Sequence, residues 1–208
     1  MRNISRKDFE EYQSYAVRCW HEVNDILLEN LQDTLDYLLS SSKSIEVSDF
    51  IIDTKLLYGI DLDITFNFAG KASQVWVAES VNYVPNIFYF LEAIISTNYN
   101  EYFYYCEEEG PNTFLYVKRI KKDDIQFVHI SQRVQFSKHV ETEDYKVRQN
   151  IVINKNIFIK TFYTSIMNAV KSKTKKDIKR ECYYQLNEFE ELKNGSIIIE
   201  KYLKDLGI

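Results

Sequence analysis

Between Phe9 and Leu38 the apolar residues recur every three or four positions: Phe9, Tyr12, Ala16, Trp20, Val23, Leu27, Leu31, Leu35 and Leu38. One stripe at that period predicts a long amphipathic helix over 5–41. Ser5 stands where an N-cap would, with Asp8 three residues on, close to a capping box, and SSSKS ends the pattern at 40–44. A helix of that length has room for a kink between His21 and Asn24. The period then changes to two. In LYGIDLDITFNFAG, Ile60, Leu62, Ile64, Phe66 and Phe68 alternate with Asp61, Asp63, Thr65 and Asn67, the pattern of a strand with one wet face. Ala69-Gly70-Lys71 reads as a turn and QVWVAES at 74–80 as a second strand, which makes a hairpin.

After Pro85 the helical period returns. Ile87, Phe88, Phe90, Leu91, Ile94 and Ile95 form a short helix, apolar nearly all round, as a helix pressed on a sheet is. Strands follow at 102–107, 113–120 and 125–130, joined by EEGPN and KKDD. Connections this short favour antiparallel neighbours, and apolar residues on both faces mean that the central strands are covered on both sides. The polar run SKHVETEDYK within 131–147 reads as a loop, and RQNIVIN at 148–154 as a last strand. Asn154 then caps a helix whose stripe is Ile157, Phe158, Phe162, Ile166, Ala169 and Val170. KSKTKKDIKR at 171–180 reads as a charged helix end and linker, with terminal helices at 182–192 and 197–206. The expected fold is therefore a single α+β domain over 1–208. An antiparallel sheet of about five or six strands, at about 58–153, is packed by the N-terminal helix and by C-terminal helices over 155–206.

Composition supports a packed domain. The chain is 45% hydrophobic, with 16 Tyr and 13 Phe, and has only 5 Gly and 2 Pro, too few for long flexible linkers. No window reaches the roughly 18–20 apolar residues of a membrane span, and MRNISRKDFEEYQ lacks the apolar core of a secretory signal. Three widely spaced cysteines, Cys19, Cys106 and Cys182, suit neither a disulfide framework nor a cysteine zinc site. These features point to a cytoplasmic protein without a membrane partner. The net charge of −5 is unevenly placed: residues 1–110 hold 7 Lys+Arg and 19 Asp+Glu, whereas residues 111–208 hold 19 and 12.

Several groups could carry chemistry. Asp61 and Asp63 share one strand face, as a divalent-metal site would need. That pattern allows a metal-dependent nucleotidyl- or phosphoryl-transfer enzyme, although the Gly-Ser that precedes such a pair in nucleotidyltransferases is missing. Glu107, Glu108 and Glu109 are three adjacent carboxylates, tolerable in water and costly when buried, so they read as a solvated strand end or a docking patch. His21, His129 and His139 have no metal-ligand spacing, and His129 shares a strand face with Ile125 and Phe127. No phosphate-binding glycine loop is present, so no cofactor is expected. Lys171, Lys173, Lys175, Lys176, Lys179 and Arg180 form a basic cluster, but a pI near 5.4 speaks against nucleic acid as the partner.

The order of VWVAES, NIFYFLEAIIS, YFYYCEEEGP, FLYVKRI and IQFVHIS resembles the middle of the immunity proteins of bacterial polymorphic-toxin and contact-dependent inhibition systems. The matching positions are Trp76, Phe88, Leu91, Ile94, Glu108, Glu109 and Gly110, within about residues 58–172. The resemblance implies no catalysis. It implies a cytoplasmic protein that binds a cognate toxin domain and blocks it; many such toxins are nucleases with cationic clefts. On that reading Asp61, Asp63, Glu107, Glu108 and Glu109 supply an acidic contact surface, and Tyr99 and Tyr102 supply exposed aromatic anchors.

Overall fold

The long apolar stripe folds as one helix, α1 (Arg6–Ser40), with no break at 21–24. The computed structural model describes residues 6–78, 82–96, 100–107, 112–132 and 145–208, so the Ser5 cap lies outside the described residues. After α1 come two strands that the alternation reading did not assign: β1 (Ile45–Glu46) and β2 (Phe50–Leu57). In β2, Ile52, Thr54 and Leu56 are buried while Ile51, Asp53 and Lys55 are exposed. That is the period of two, masked in the sequence by Phe50 and Ile51 at its start. The expected hairpin follows as β3 (Asp61–Phe68) and β4 (Lys71–Val77). β4 starts three residues earlier than expected because only Ala69 and Gly70 are needed to turn, both at positive φ.

Helix α2 (Asn86–Ile95) buries eight of its ten residues. The meander is β5 (Glu101–Glu107), β6 (Asn112–Arg119) and β7 (Asp124–Gln132). β8 (Tyr145–Asn154) begins earlier than the expected 148. Its register slips between His129 and Ile130, which face Gln149 and Val147, and leaves Arg148 as the extra residue of a bulge. The Asn154 side chain then accepts hydrogen bonds from the N–H groups of Asn156 (3.0 Å) and Ile157 (3.2 Å) and starts α3 (Lys155–Lys171).

The α+β class holds, but the strands divide between two sheets instead of one. A five-stranded sheet has the order β1-β8-β7-β6-β5, antiparallel except for the short parallel pair β1–β8. A three-stranded antiparallel sheet has the order β2-β3-β4. Their inner faces meet through aromatic rings: Phe66 lies 5.0 Å from Phe127 and Phe68 lies 5.6 Å from it. α3 closes this layer with Phe158, 5.1 Å from Phe127, and Phe162, edge-on to Phe66 at 5.4 Å. On the predicted α3 stripe only Ile157 departs; it sits in the first turn, ahead of the sheet, and is exposed. The outer face of the five-stranded sheet is covered by α1, whose Leu35 and Leu38 pack on Phe103, Phe114, Tyr116, Val128 and Ile130. The meander is thus covered on both faces, as its two-sided apolar pattern requires.

Lys171 ends α3 as a charged helix end, but the linker is confined to 172–174. Thr174 and Asp177 form a reciprocal capping box that starts α4 (Lys175–Glu181). A 3₁₀ turn (Tyr183–Gln185), α5 (Leu186–Asn194) and α6 (Ile197–Asp205) complete the chain. This C-terminal part grips the β2–β3 turn. The Gly59 N–H donates to Glu181 (2.9 Å) and the Ile60 N–H to Gln185 Oε1 (3.1 Å). A Cβ on Gly59, at φ +83, would lie 1.9 Å from Gln185 Oε1, whereas one on Gly70, at φ +76, meets nothing within 4 Å. Gly70→Ala is expected to cost about 1 kcal/mol through left-handed strain alone. Gly59→Ala also drives Gln185 off the Ile60 N–H and should cost about 1–3 kcal/mol more. Urea unfolding of the two variants checks this; equal losses would overturn the Gln185 contact as the reason for Gly59.

Candidate binding surface

Period two does place Asp61 and Asp63 on one face, the outer face of the three-stranded sheet, but their surroundings part them. Asp61 is buried, 8% exposed. Asp63 is half-buried, sits in register between Lys55 and Trp76, and accepts a 2.5 Å hydrogen bond from Gln74 Nε2. Among the described residues no three His, Cys, Asp or Glu side chains gather as a metal would need. Glu107 ends β5 opposite Asn112; its side chain, Glu108, Glu109 and Tyr99 lie outside the described residues.

Tyr102 requires a correction. It is 3% exposed, faces the inner core with Tyr104 and Cys106, and donates its hydroxyl to the Ser96 carbonyl at 3.0 Å. Arg119 Nη2 donates to the same carbonyl at 2.6 Å. Ser96 is the C-cap of α2, so Tyr102 ties β5 to the end of that helix and cannot serve as an outer anchor. Where both faces of a strand are aromatic, residue type alone does not tell which side is wet.

An acidic outer surface is present elsewhere. Residues 19–42 hold five acids and neither Lys nor Arg. Glu22, Glu29, Asp33 and Asp36 are all exposed, and their spacings of seven, four and three put them on one helical face, opposite Leu31, Leu35 and Leu38. At 1.5 Å per residue this row is about 21 Å long. Tyr37, 58% exposed, stands beside it; the exposed Tyr15 lies seven residues before Glu22, with the Arg18 guanidinium 5.8 Å over its ring, so the row ends there. Gln32 Nε2 donates to Asp36 Oδ1 at 3.0 Å. The field of the row reaches the sheet below: burial, then Glu101, then the charge of Asp36 push the Tyr116 phenol well above its usual range. The signal in the sequence was the i, i+3, i+4 spacing of acids behind the leucine stripe, a pattern that attention to the stripe itself leaves unread.

Part of the basic cluster is engaged in ion pairs, while Lys171, Lys176 and Lys179 are exposed. Lys173 pairs with Glu181 at 2.6 Å, Lys175 with Glu190 at 2.8 Å, and Arg180 lies 3.9 Å from Asp177. The first two pairs pin α4 to its neighbours, and the third lies within it. His129, expected on a strand face beside Phe127, is more deeply placed than that position implied, at 1% exposed. Its Nδ1 lies 2.8 Å from Ser73 Oγ, and its Nε2 is buried without a hydrogen-bond partner among the described residues. Burial first, then the charge of Arg148 across the bulge, lower its pKa to about 3, so the ring is neutral.

That neutrality has a thermodynamic sign. The unfolded chain binds a proton at this histidine below about pH 6.5 and the folded one does not, so stability falls as pH drops from there toward 3. The loss should approach about 3 kcal/mol at pH 4. Urea unfolding between pH 7 and 4 is expected to show this slope, and His129→Gln to lack that part of it; an unchanged slope in the variant would assign it to other groups. Compared with known proteins, the chain matches no family model, no curated protein and no solved structure.

Proposed function

We propose that the protein is a non-enzymatic binding protein, an immunity protein that neutralises a cationic toxin domain, and that the exposed face of α1 is its contact surface. One observation carries this reading: four exposed carboxylates on one helical face, in a stretch of 24 residues without Lys or Arg, with the exposed Tyr37 beside them. The packing of Leu35 and Leu38 on the sheet holds this face outward.

The physics suits an inhibitor of a nucleic-acid-binding enzyme. Carboxylates about 5–10 Å apart along a rigid rod present a row of negative charge to a cleft that otherwise binds phosphates. Charge complementarity of this kind raises association rates to roughly 10⁸–10⁹ M⁻¹s⁻¹ at low salt. Tyr37 adds large, weakly flexible contact area, the kind that dominates binding energy. The metal-dependent transferase reading has less to rest on, because buried Asp61 and Gln74-bound Asp63 do not converge with a third acid among the described residues. No helix among the described residues is long and apolar enough to cross a membrane.

The test is co-expression with toxin domains encoded by genes found next to this chain's gene. The parent protein should restore growth. A variant carrying Glu22→Lys, Glu29→Lys, Asp33→Lys and Asp36→Lys should fold, by circular dichroism, yet fail to restore it. With purified components its association rate should fall about 10–100-fold at low salt. A folded variant that protects as well as the parent would remove α1 as the contact surface; a parent that protects against no neighbouring toxin would remove the function.

A further inference from the structure

Glu92 is the one charged-type residue that α2 buries, at 2% exposed. Its Oε1 accepts a 2.5 Å hydrogen bond from Ser196 Oγ, and its Oε2 is buried without a hydrogen-bond partner among the described residues. Ser196 is no ordinary surface serine. It caps α6, accepting from the Ile199 N–H at 3.1 Å, and its own N–H donates to the Tyr163 hydroxyl of α3 at 2.9 Å. Tyr163 in turn donates to Glu200 at 3.3 Å. From α1, Gln13 completes the ring: its Nε2 donates to the Gly195 carbonyl at 3.2 Å, and its Oε1 accepts from the Ile197 N–H at 3.3 Å. The backbone is pressed close here, since a Cβ on Gly195 would stand 2.3 Å from the Tyr163 hydroxyl. One helix away, Glu191 of α5 accepts from both Tyr83 and Tyr89. The α5–α6 turn is therefore held from three sides, by α1, α2 and α3, through polar contacts in an otherwise apolar layer.

At the Glu92 contact, burial opposes the charged form of the carboxyl. Burial pushes the carboxyl up to about 8, the Ser196 hydroxyl pulls it back, and the charge of Glu191 pushes the same way as burial. Among the described residues, the other titratable groups around this contact include Tyr12 from α1, Tyr83, Tyr89 from α2, Tyr163 from α3, Glu191 from α5 and Glu200 from α6. The phenols of Tyr83, Tyr89 and Tyr163 are themselves held well above their usual range by burial, with the carboxylates beside them adding to it, so they keep their protons where Glu92 loses its own. Once ionised, Glu92 carries a buried charge with a single hydrogen bond beside another acid, and exposure of the turn to water is the simplest relief.

We propose that buried Glu92 is a pH-operated latch: uncharged, it keeps the α5–α6 turn closed against α2 and α3, and in alkaline solution its buried charge, despite the Ser196 hydrogen bond, drives the turn open. The sign follows from proton linkage. The closed form keeps a proton that an opened form, with an ordinary carboxyl near 4.5, gives up, so this contribution to closure falls as pH rises from there and is gone once pH passes about 8. The sheets, joined by aromatic contacts without a proton, do not take part.

Hydrogen exchange of the full chain, read by mass spectrometry and corrected for the intrinsic pH dependence of exchange, tests this. Between pH 6.5 and 9, peptides from 186–205 should exchange about 30-fold faster, while those from β3, β6 and β7 stay unchanged. Glu92→Gln keeps the acceptor for Ser196 and cannot ionise, so its 186–205 peptides should show no such change. A parent protein without the selective acceleration overturns the proposal, as does an equal acceleration in Glu92→Gln. A measurement that needs no variant stands beside it: with ¹³C-labelled glutamate, one carboxyl carbon should titrate near pH 8, and a spectrum in which every glutamate titrates below about pH 6 overturns the latch as well.

Discussion

The rings of Phe66 and Phe127, 5.0 Å apart, join two sheets that share no backbone ladder. Hydrogen bonding holds strands within a sheet, but it cannot hold β2-β3-β4 to the other five. That task falls to dispersion and apolar burial between side chains that happen to be large and flat. Phe68, Phe158 and Phe162 surround the same contact, and they come from β3 and α3, elements separated by about half the chain. The remaining elements take the positions this contact leaves. α2 and α3 fill the inner layer. The outer face of the five-stranded sheet then still needs a cover, and α1 supplies it with Leu35 and Leu38.

The placement of α1 gives the acidic face its character. A helix lying across a sheet turns one stripe inward and its opposite stripe fully outward. With leucines on the first and carboxylates on the second, the sheet holds a straight row of charge away from the body of the protein. Within the row itself, from Cys19 to Ser42, no Lys or Arg is present to cancel it. A proposed partner with a cationic cleft would meet a rigid surface, which limits the ordering cost of association.

Two buried titratable groups lean in opposite directions. His129 excludes a proton and Glu92 retains one, each because burial disfavours its charged form. They sit in different neighbourhoods. His129 lies between the sheets beside Ser73, in the part held by aromatic packing. Glu92 faces the helical C-terminus, where Ser196, Tyr163 and Gln13 make the contacts. Acid therefore acts against the sheet junction and alkali against the helical end, which divides the molecule by chemistry as well as by secondary structure.

Period and capping were readable in the residues themselves. The 3.6-residue stripe of α1, the alternation of β3, the all-round apolar α2, the meander and the Asn154 cap all follow from local spacing, which the backbone imposes wherever the chain lies in space. The count of acids without Lys or Arg over 19–42 was equally present. Four things were not. Nothing in the alternation of β3 says that its strands form a sheet of their own, because sheet membership is decided by which distant faces pack. The 171–180 run looks like a linker until Thr174 and Asp177 close their cap and Lys173 meets Glu181. Tyr102 and Tyr105 are alike in sequence, and only α2 lying over one face of β5 makes Tyr102 a core residue. Glu92 reads as the polar edge of an apolar helix until α6, more than a hundred residues later, brings Ser196 to it. Local period reports which residues share a face; whether that face meets water, another sheet or a hydroxyl is settled by contacts between segments far apart in the chain.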